Sequence, residues 1–310
     1  MISLLDIVSE GYIMMRRCIF RLLALFLIII LPLKTFSGEP VDRAVDAVSN
    51  SINSAIESWA SKNIPNLRLI EIDTKIRNAS ETDYRILTIL ELSDSELEKY
   101  LSQISFSSYN NRETLNLGLV WRALNKNKTL IYGVNAFYDR EINSDHSRLG
   151  LGFELKSSVY DVNLNFYEAL TGRHTYAGAI EEAADGYDLE VAMYLPYMPW
   201  AKVYYKGYEW DSSIYDVKNG ESLSLHLQPT SRVAIEIGRQ QDNTMSTGLS
   251  FLRVDYIICC NNQTTNRPVV FLSPTAYSYQ SIESRFFEKV RRQNNIVKGI
   301  KGAVNVGRGT

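Results

Sequence analysis

From about Leu67 to Ile258 the chain is apolar at every second position over long runs. Leu115, Leu117, Leu119 and Trp121 alternate with Asn116, Gly118, Val120 and Arg122. Leu149, Leu151, Phe153 and Leu155 alternate with Gly150, Gly152, Glu154 and Lys156, and Tyr187, Leu189, Val191 and Met193 with Asp188, Glu190 and Ala192. Val233, Ile235 and Ile237 interleave Ala234, Glu236 and Gly238. A period of two is that of strands with one apolar face. Roughly twelve such segments start near residues 66, 82, 98, 112, 128, 146, 158, 186, 199, 220, 231 and 245. The first three are irregular, because Leu69-Ile70 and Ile86-Leu87 break the alternation, and a phase shift near Leu252 reads as a bulge.

Alternation alone does not separate a soluble sandwich from a transmembrane barrel. Segment length does: runs of about 9–11 residues match a tilted bilayer crossing, whereas soluble strands are nearer five or six. The connections point the same way. Asn125–Asn127, Ser157-Ser158, Pro196–Met198 and Pro229-Thr230 are tight, while Glu168–Asp185 and Asp211–Asn219 are long, the asymmetry of outer-membrane barrels. The expectation is an all-β chain whose residues 65–258 form an antiparallel transmembrane β-barrel. Its polar face then points inward, with Asn135, Asp139, Arg148, Glu154, Glu190, Arg232 and Glu236 as lumen-facing structural candidates beside Arg122, Lys156, Lys202 and Lys206. Both signs are present, which predicts an ion-paired network and not a one-sign selectivity ring.

The flanks differ in kind. Met14-Met15-Arg16-Arg17, the apolar run Ile19–Leu31 and small residues near Ser37 follow the plan of a secretory signal peptide over 1–37, with translation starting at Met1, Met14 or Met15. Val41, Ala44, Val45, Val48, Ile52, Ile56 and Trp59 predict an amphipathic periplasmic helix over 38–64. Residues 259–310 form a linker and tail, polar at first and then basic through Arg285, Lys289, Arg291, Arg292, Lys298, Lys301 and Arg308. Crossing about 30 Å takes roughly ten extended residues, so this tail is long enough to thread a lumen.

Composition trims the alternatives. The chain has 310 residues, 45% of them hydrophobic and 22% charged, with a net charge of −2, which fits neither disorder nor a nucleic-acid binder. Three His and three Cys leave little for metal or cofactor chemistry, and none is expected. Cys18 lies in the signal, and the adjacent Cys259 and Cys260 imply no disulfide framework. His146, His174 and His226 have no recognisable serine or paired-aspartate motif around them, so the chain reads as non-enzymatic. The 19 tyrosines suit aromatic girdles at the two membrane interfaces, although Tyr194 and Tyr204 face the lumen by the alternation.

Thr114–Gly118, Tyr132-Gly133-Val134-Asn135-Ala136-Phe137-Tyr138-Asp139-Arg140, His146-Ser147-Arg148-Leu149-Gly150-Leu151-Gly152, Asn165-Phe166-Tyr167 with Leu170-Thr171-Gly172, Gly186-Tyr187-Asp188 and Leu195–Pro199 follow one another in a characteristic order. In that order and spacing the chain resembles the β-domain of inverse autotransporters, the intimin and invasin family. Ser284–Val297 is similar to the family's post-barrel linker. The resemblance implies a twelve-stranded barrel in the bacterial outer membrane, its N-terminus periplasmic. It also implies a linker that passes outward through the lumen, insertion by the barrel-assembly machinery, and a role as anchor and translocation unit for adhesins. Here the expected unit is that β-domain without its extracellular passenger. A passive pore and a truncated remnant of a longer adhesin are the alternatives. Contacts with host or neighbouring cells are expected through surface loops, chiefly Glu168–Asp185 with His174 and Tyr176.

Overall fold

The computed structural model describes residues 58–301 except 60–61, 65, 78–81, 94, 260–270 and 278. The signal at 1–37, nearly all of the helix at 38–64, Cys18 and Cys260 lie outside the described residues. The first seven strands are β1 (Leu67–Arg77), β2 (Asp83–Glu91), β3 (Glu98–Tyr109), β4 (Arg112–Leu124), β5 (Leu130–Glu141), β6 (Ser147–Ser157) and β7 (Tyr160–Ala169). Two short strands, β8 (His174–Tyr176) and β9 (Ala179–Ala183), stand outside the main sheet. The main sheet resumes with β10 (Asp185–Leu195), β11 (Met198–Ser212), β12 (Tyr215–Leu227), β13 (Val233–Asp242) and β14 (Leu249–Cys259). Each main strand pairs antiparallel with the next, β7 with β10, and β14 pairs with β1 to close the ring. The result is a closed barrel of twelve strands.

Burial inverts the pattern of a soluble core. Leu119, Leu151 and Leu223 are 64%, 60% and 59% exposed on the outer face, while Arg122, Asp139 and Arg148 are fully buried inside. Only hydrocarbon removes such an apolar belt from water, and closing the ring leaves no unpaired strand edge within it. Leu151 sits mid-strand, opposite Ala136 and Phe166. Leu151→Arg is therefore expected to cost roughly 2–4 kcal/mol of barrel stability in lipid, read as a lower urea midpoint of unfolding from bilayers. On a wetted surface the same change would be nearly neutral.

The outer tyrosines Tyr84, Tyr100, Tyr132, Tyr160 and Tyr187 are all exposed near strand ends, and Tyr132 packs edge-on to Trp121 with ring centroids 5.9 Å apart. Tyr167, Tyr204 and Tyr208 are buried inside the barrel. Girdles thus account for one part of the tyrosines and lumen packing for another.

Three local readings change. No register shift occurs near Leu252, where β14 runs evenly against β1 and β13. The irregularity falls at Ile258, between the pairs Ile70↔Cys259 and Glu71↔Ile257. Asp211–Asn219 is no long loop: β11 and β12 stay paired as far as Trp210↔Lys218 and Ser212↔Tyr215. The Glu168–Asp185 connection contains the β8–β9 hairpin, where φ is positive at Ala177 (48°) and at Gly178 (82°). Apart from that hairpin, connections at the two ends are of similar length, so the asymmetry rests on it and on the projecting β11–β12 ribbon.

We call the end where β1 begins and β14 finishes the proximal rim, and the other the distal rim. After β14 the chain makes a short 3-10 turn, η1 (Glu283–Phe287), and finally a strand, β15 (Lys298–Lys301), which pairs with β9 in a three-stranded sheet β15-β9-β8. Since η1 packs against proximal turns and β15 against the distal hairpin, residues 282–301 run the length of the lumen.

Candidate functional site in the barrel lumen

The lumen is a polar wall wrapped around a basic segment. At the proximal rim the Ile282 N–H donates to the Lys128 carbonyl at 2.8 Å, and Ile282 and Phe286 pack with Leu124 and Ile131. This apolar plug seats η1. Arg285 then reaches Asp161 at 2.7 Å, the carboxylate that also takes Lys202 at 2.8 Å. Arg122 forms a bidentate pair with Glu154, both contacts 2.9 Å, and donates to the carbonyls of Phe286 and Glu288. One buried guanidinium thereby ties the wall to the linker backbone, the planar fork geometry that Arg provides and Lys does not.

Mid-lumen the segment alternates in kind. Lys289 Nζ lies 2.5 Å from Glu71 and 2.8 Å from Asp255. Glu71, Asp73 and Asp255 gather closely enough to suggest a metal site, but Lys289 and Arg85 occupy their carboxylates. Val290 enters an apolar pocket of Leu69, Leu87, Ile89, Leu101, Val120 and Phe137, and its N–H donates to Gln103 Oε1 at 2.8 Å. Arg291 is bidentate to Glu190 at 2.6 and 3.0 Å, reaches Glu236 at 3.3 Å, and lies 3.8 Å from the Tyr204 ring centroid.

Arg292 is bidentate to Asp139 at 2.9 and 2.7 Å, and Arg148 reaches the same carboxylate at 3.0 and 2.8 Å. Both guanidinium groups stack on Tyr167, 5.4 and 4.3 Å from its ring centroid, which adds a cation–π term. Gly150 explains why a glycine stands there: a Cβ would come within 2.8 Å of Arg292 Nη2. At Gly152 a Cβ would lie 2.5 Å from Asn135 Oδ1. Further along, the Asn116 amide donates to the Asn294 carbonyl at 2.8 Å. At the distal rim Lys298 meets Glu141 at 2.5 Å, and Arg112 bridges Glu141 and Glu181 at 2.9 and 2.5 Å.

Residues 34–294 match the family described as inverse autotransporter, beta-domain. The chain belongs to that family. Invasin of Yersinia enterocolitica is 26% identical over 167 residues, 53% of this chain and 19% of invasin. Intimin of Escherichia coli O111:H- is 27% identical over 179 residues, 55% of this chain and 18% of intimin. This chain thus spans under a fifth of the length of these two curated relatives. A solved structure from work on the in-meso crystallization of membrane proteins superposes with a TM-score of 0.62 at 18% identity, covering 76% of this chain and 100% of that one. The protein is an inverse autotransporter β-domain, a β-barrel of the outer membrane.

Within this β-domain the residues singled out by parity are placed as follows. Asn135, Asp139, Arg148, Glu154, Glu190 and Glu236 are buried on the inner face. Asp139, Arg148, Glu190 and Glu236 converge on Arg291, Arg292 and the Gln293 carbonyl, while Glu154 acts through Arg122. Arg232 stands apart, in the turn before β13 at the proximal rim, donating to the Ile258 carbonyl at 2.7 Å. Glu71, Gln103, Asp161 and Asp255, all linker partners, were not among them. The signal for the three carboxylates is charge balance, since a basic tail on a chain of net charge −2 leaves the barrel itself acidic; the neutral Gln103 carries no such signal.

The histidines pack against protein groups. His226 lies edge-on to Tyr204, and His146 stacks on His174 with centroids 4.8 Å apart at the distal rim, where His146 Nδ1 also pairs with Thr171 Oγ1 at 3.0 Å. Burial, and after it the Lys298 ammonium and His174, hold the His146 imidazole below its ordinary pKa. The closed hairpin therefore favours neutral His146. Its contribution is complete above the ordinary value of about 6.5 and declines as pH falls below it, since the opened state takes up the proton first. Proteolysis within 170–184 should accelerate on acidification, and His146→Gln should flatten that dependence.

Proposed function

We propose that this β-domain is a non-catalytic anchor and export conduit. The proximal rim faces the periplasm and the distal rim the cell surface. The segment after β14 passes outward through the lumen to carry a surface passenger, as kinship with intimin and invasin implies. Lipid surrounds the outer leucine rows, the barrel-assembly machinery inserts the chain, and the β8–β9 hairpin is the part best placed to touch host or neighbouring cells.

One observation carries this reading. Residues 282–301 follow a continuous path from rim to rim, and Arg285, Lys289, Arg291, Arg292 and Lys298 along it each meet a wall carboxylate. A passive pore fits less well, because the segment fills the middle of the lumen. In a Cys259→Ser, Cys260→Ser background, a membrane-impermeant maleimide should label Thr310→Cys on intact cells. Lys128→Cys, on a proximal turn, should be labelled only after permeabilisation. The reverse pattern would overturn the orientation.

A further inference from the structure

The linker does not fill the whole barrel. Beside it lies a cavity of about 1090 Å³ that reaches from Lys75 and Arg253 to the distal turns around Asn110 and Gly178. Its carboxylates are Glu141, Glu181, Glu190 and Glu236, and each already holds an arginine or lysine. More cations than that line it. Among them Arg77, Arg85, Lys206, Lys218, Lys289 and Arg292 pair with Asp83, Asp73, Asp188, Asp242, Asp255 and Asp139 of the surrounding wall, which leaves Lys75 as the lining cation without a carboxylate among the described residues.

Lys75 is the focus. It is directly opposite Arg253 on the neighbouring strand, an arrangement of like charges that is unfavourable in a sheet. Its partner on the other side, Asp83, is bound by Arg77 at 3.0 Å. Among the described residues Lys75 makes no ion pair; its ammonium rests 4.5 Å from the Phe251 ring centroid. Arg253 shares Glu236 with Arg291, and its buried Nε has no partner among the described residues. The Lys75 ammonium and the Arg253 guanidinium, carried on adjacent strands and both lining this cavity, form a receptor for an anion. Three ammonium donors and the arginine N–H suit the several acceptor oxygens of phosphate.

We propose that the open half of the lumen binds a phosphate group between Lys75 and Arg253, either as free phosphate or on a larger molecule entering from the distal rim. Binding is measured by calorimetry on the full chain folded in non-ionic detergent at low salt, with inorganic phosphate and glucose 6-phosphate as probes. Heat-modifiable migration verifies folding of every variant. Saturable binding of either probe is expected, and the tighter one identifies the source. Lys75→Gln should weaken it about tenfold or more, Lys75→Glu should abolish it, and added salt should weaken it. Lys128→Gln, on the proximal turn, should leave it unchanged. No saturable heat with the wild type, or equal affinity in wild type and folded Lys75→Gln, overturns the proposal.

Discussion

Replacing Asp139 by asparagine is expected to produce the largest loss of stability of any single change in the lumen. The carboxylate is fully buried and carries Arg148 from the adjacent strand and Arg292 from the linker, each within 3.0 Å. Asparagine keeps the shape but leaves two buried guanidinium groups without their counter-charge. Breaking a buried pair by removing one partner costs roughly 3–5 kcal/mol, because the orphaned charge stays desolvated. The temperature at which the barrel loses its fast-migrating folded form should fall accordingly. Arg140→Gln, which breaks an exposed pair with Asp145 on the outer face of the same strand, should leave that temperature unmoved. Adding Arg292→Met to Asp139→Asn should recover part of the loss by removing one uncompensated cation. If Asp139→Asn melts like the wild type, the wall–linker network does not hold the fold.

The twelve strands were legible because lipid demands an apolar outer face and the lumen a polar one, so side-chain parity survives in sequence. Glu98 and Arg112 begin strands where the alternation places them. The first three strands blur for a physical reason: Leu69, Leu87, Ile89 and Leu101 face inward to receive Val290, so apolar residues occupy both faces there. The β8–β9 hairpin was not legible. Its strands of three and five residues carry no alternating pattern, and β9 is completed by β15, more than a hundred positions later.

The same division holds for the lumen. Parity places Asp139, Arg148, Glu190 and Glu236 inside, but nothing local says that Arg291 and Arg292 are what they hold. Those pairings are set by where the segment lies after the ring closes, with Asp139 and Arg292 separated by 153 positions. A basic tail beside an acidic barrel announces attraction in general and leaves the register of the pairs open. The apolar contacts of Phe286 and Val290 help to fix that register, since each side chain has one pocket along the path.

Neutralising the linker should open the barrel. In a variant with Arg285, Lys289, Arg291 and Arg292 all changed to glutamine, the wall contacts to Asp161, Glu71, Asp255, Glu190, Glu236 and Asp139 lose their charge assistance. Hydrogen bonds to charged groups are worth roughly 1.5–3 kcal/mol each and neutral ones about half that, so the segment loses much of what holds it in the lumen. The ring of twelve strands does not depend on the segment for its backbone hydrogen bonds and should remain closed. In planar bilayers the wild type should conduct weakly and steadily, and the variant several-fold more. The uncovered carboxylates should make the opened path prefer cations, because the released wall charge is negative. Protease added from the distal side should also cut the freed segment faster, while the barrel keeps its heat-modifiable migration. A variant as silent as the wild type would mean that the Phe286 and Val290 pockets alone retain the segment, and the role assigned to its charges would fall.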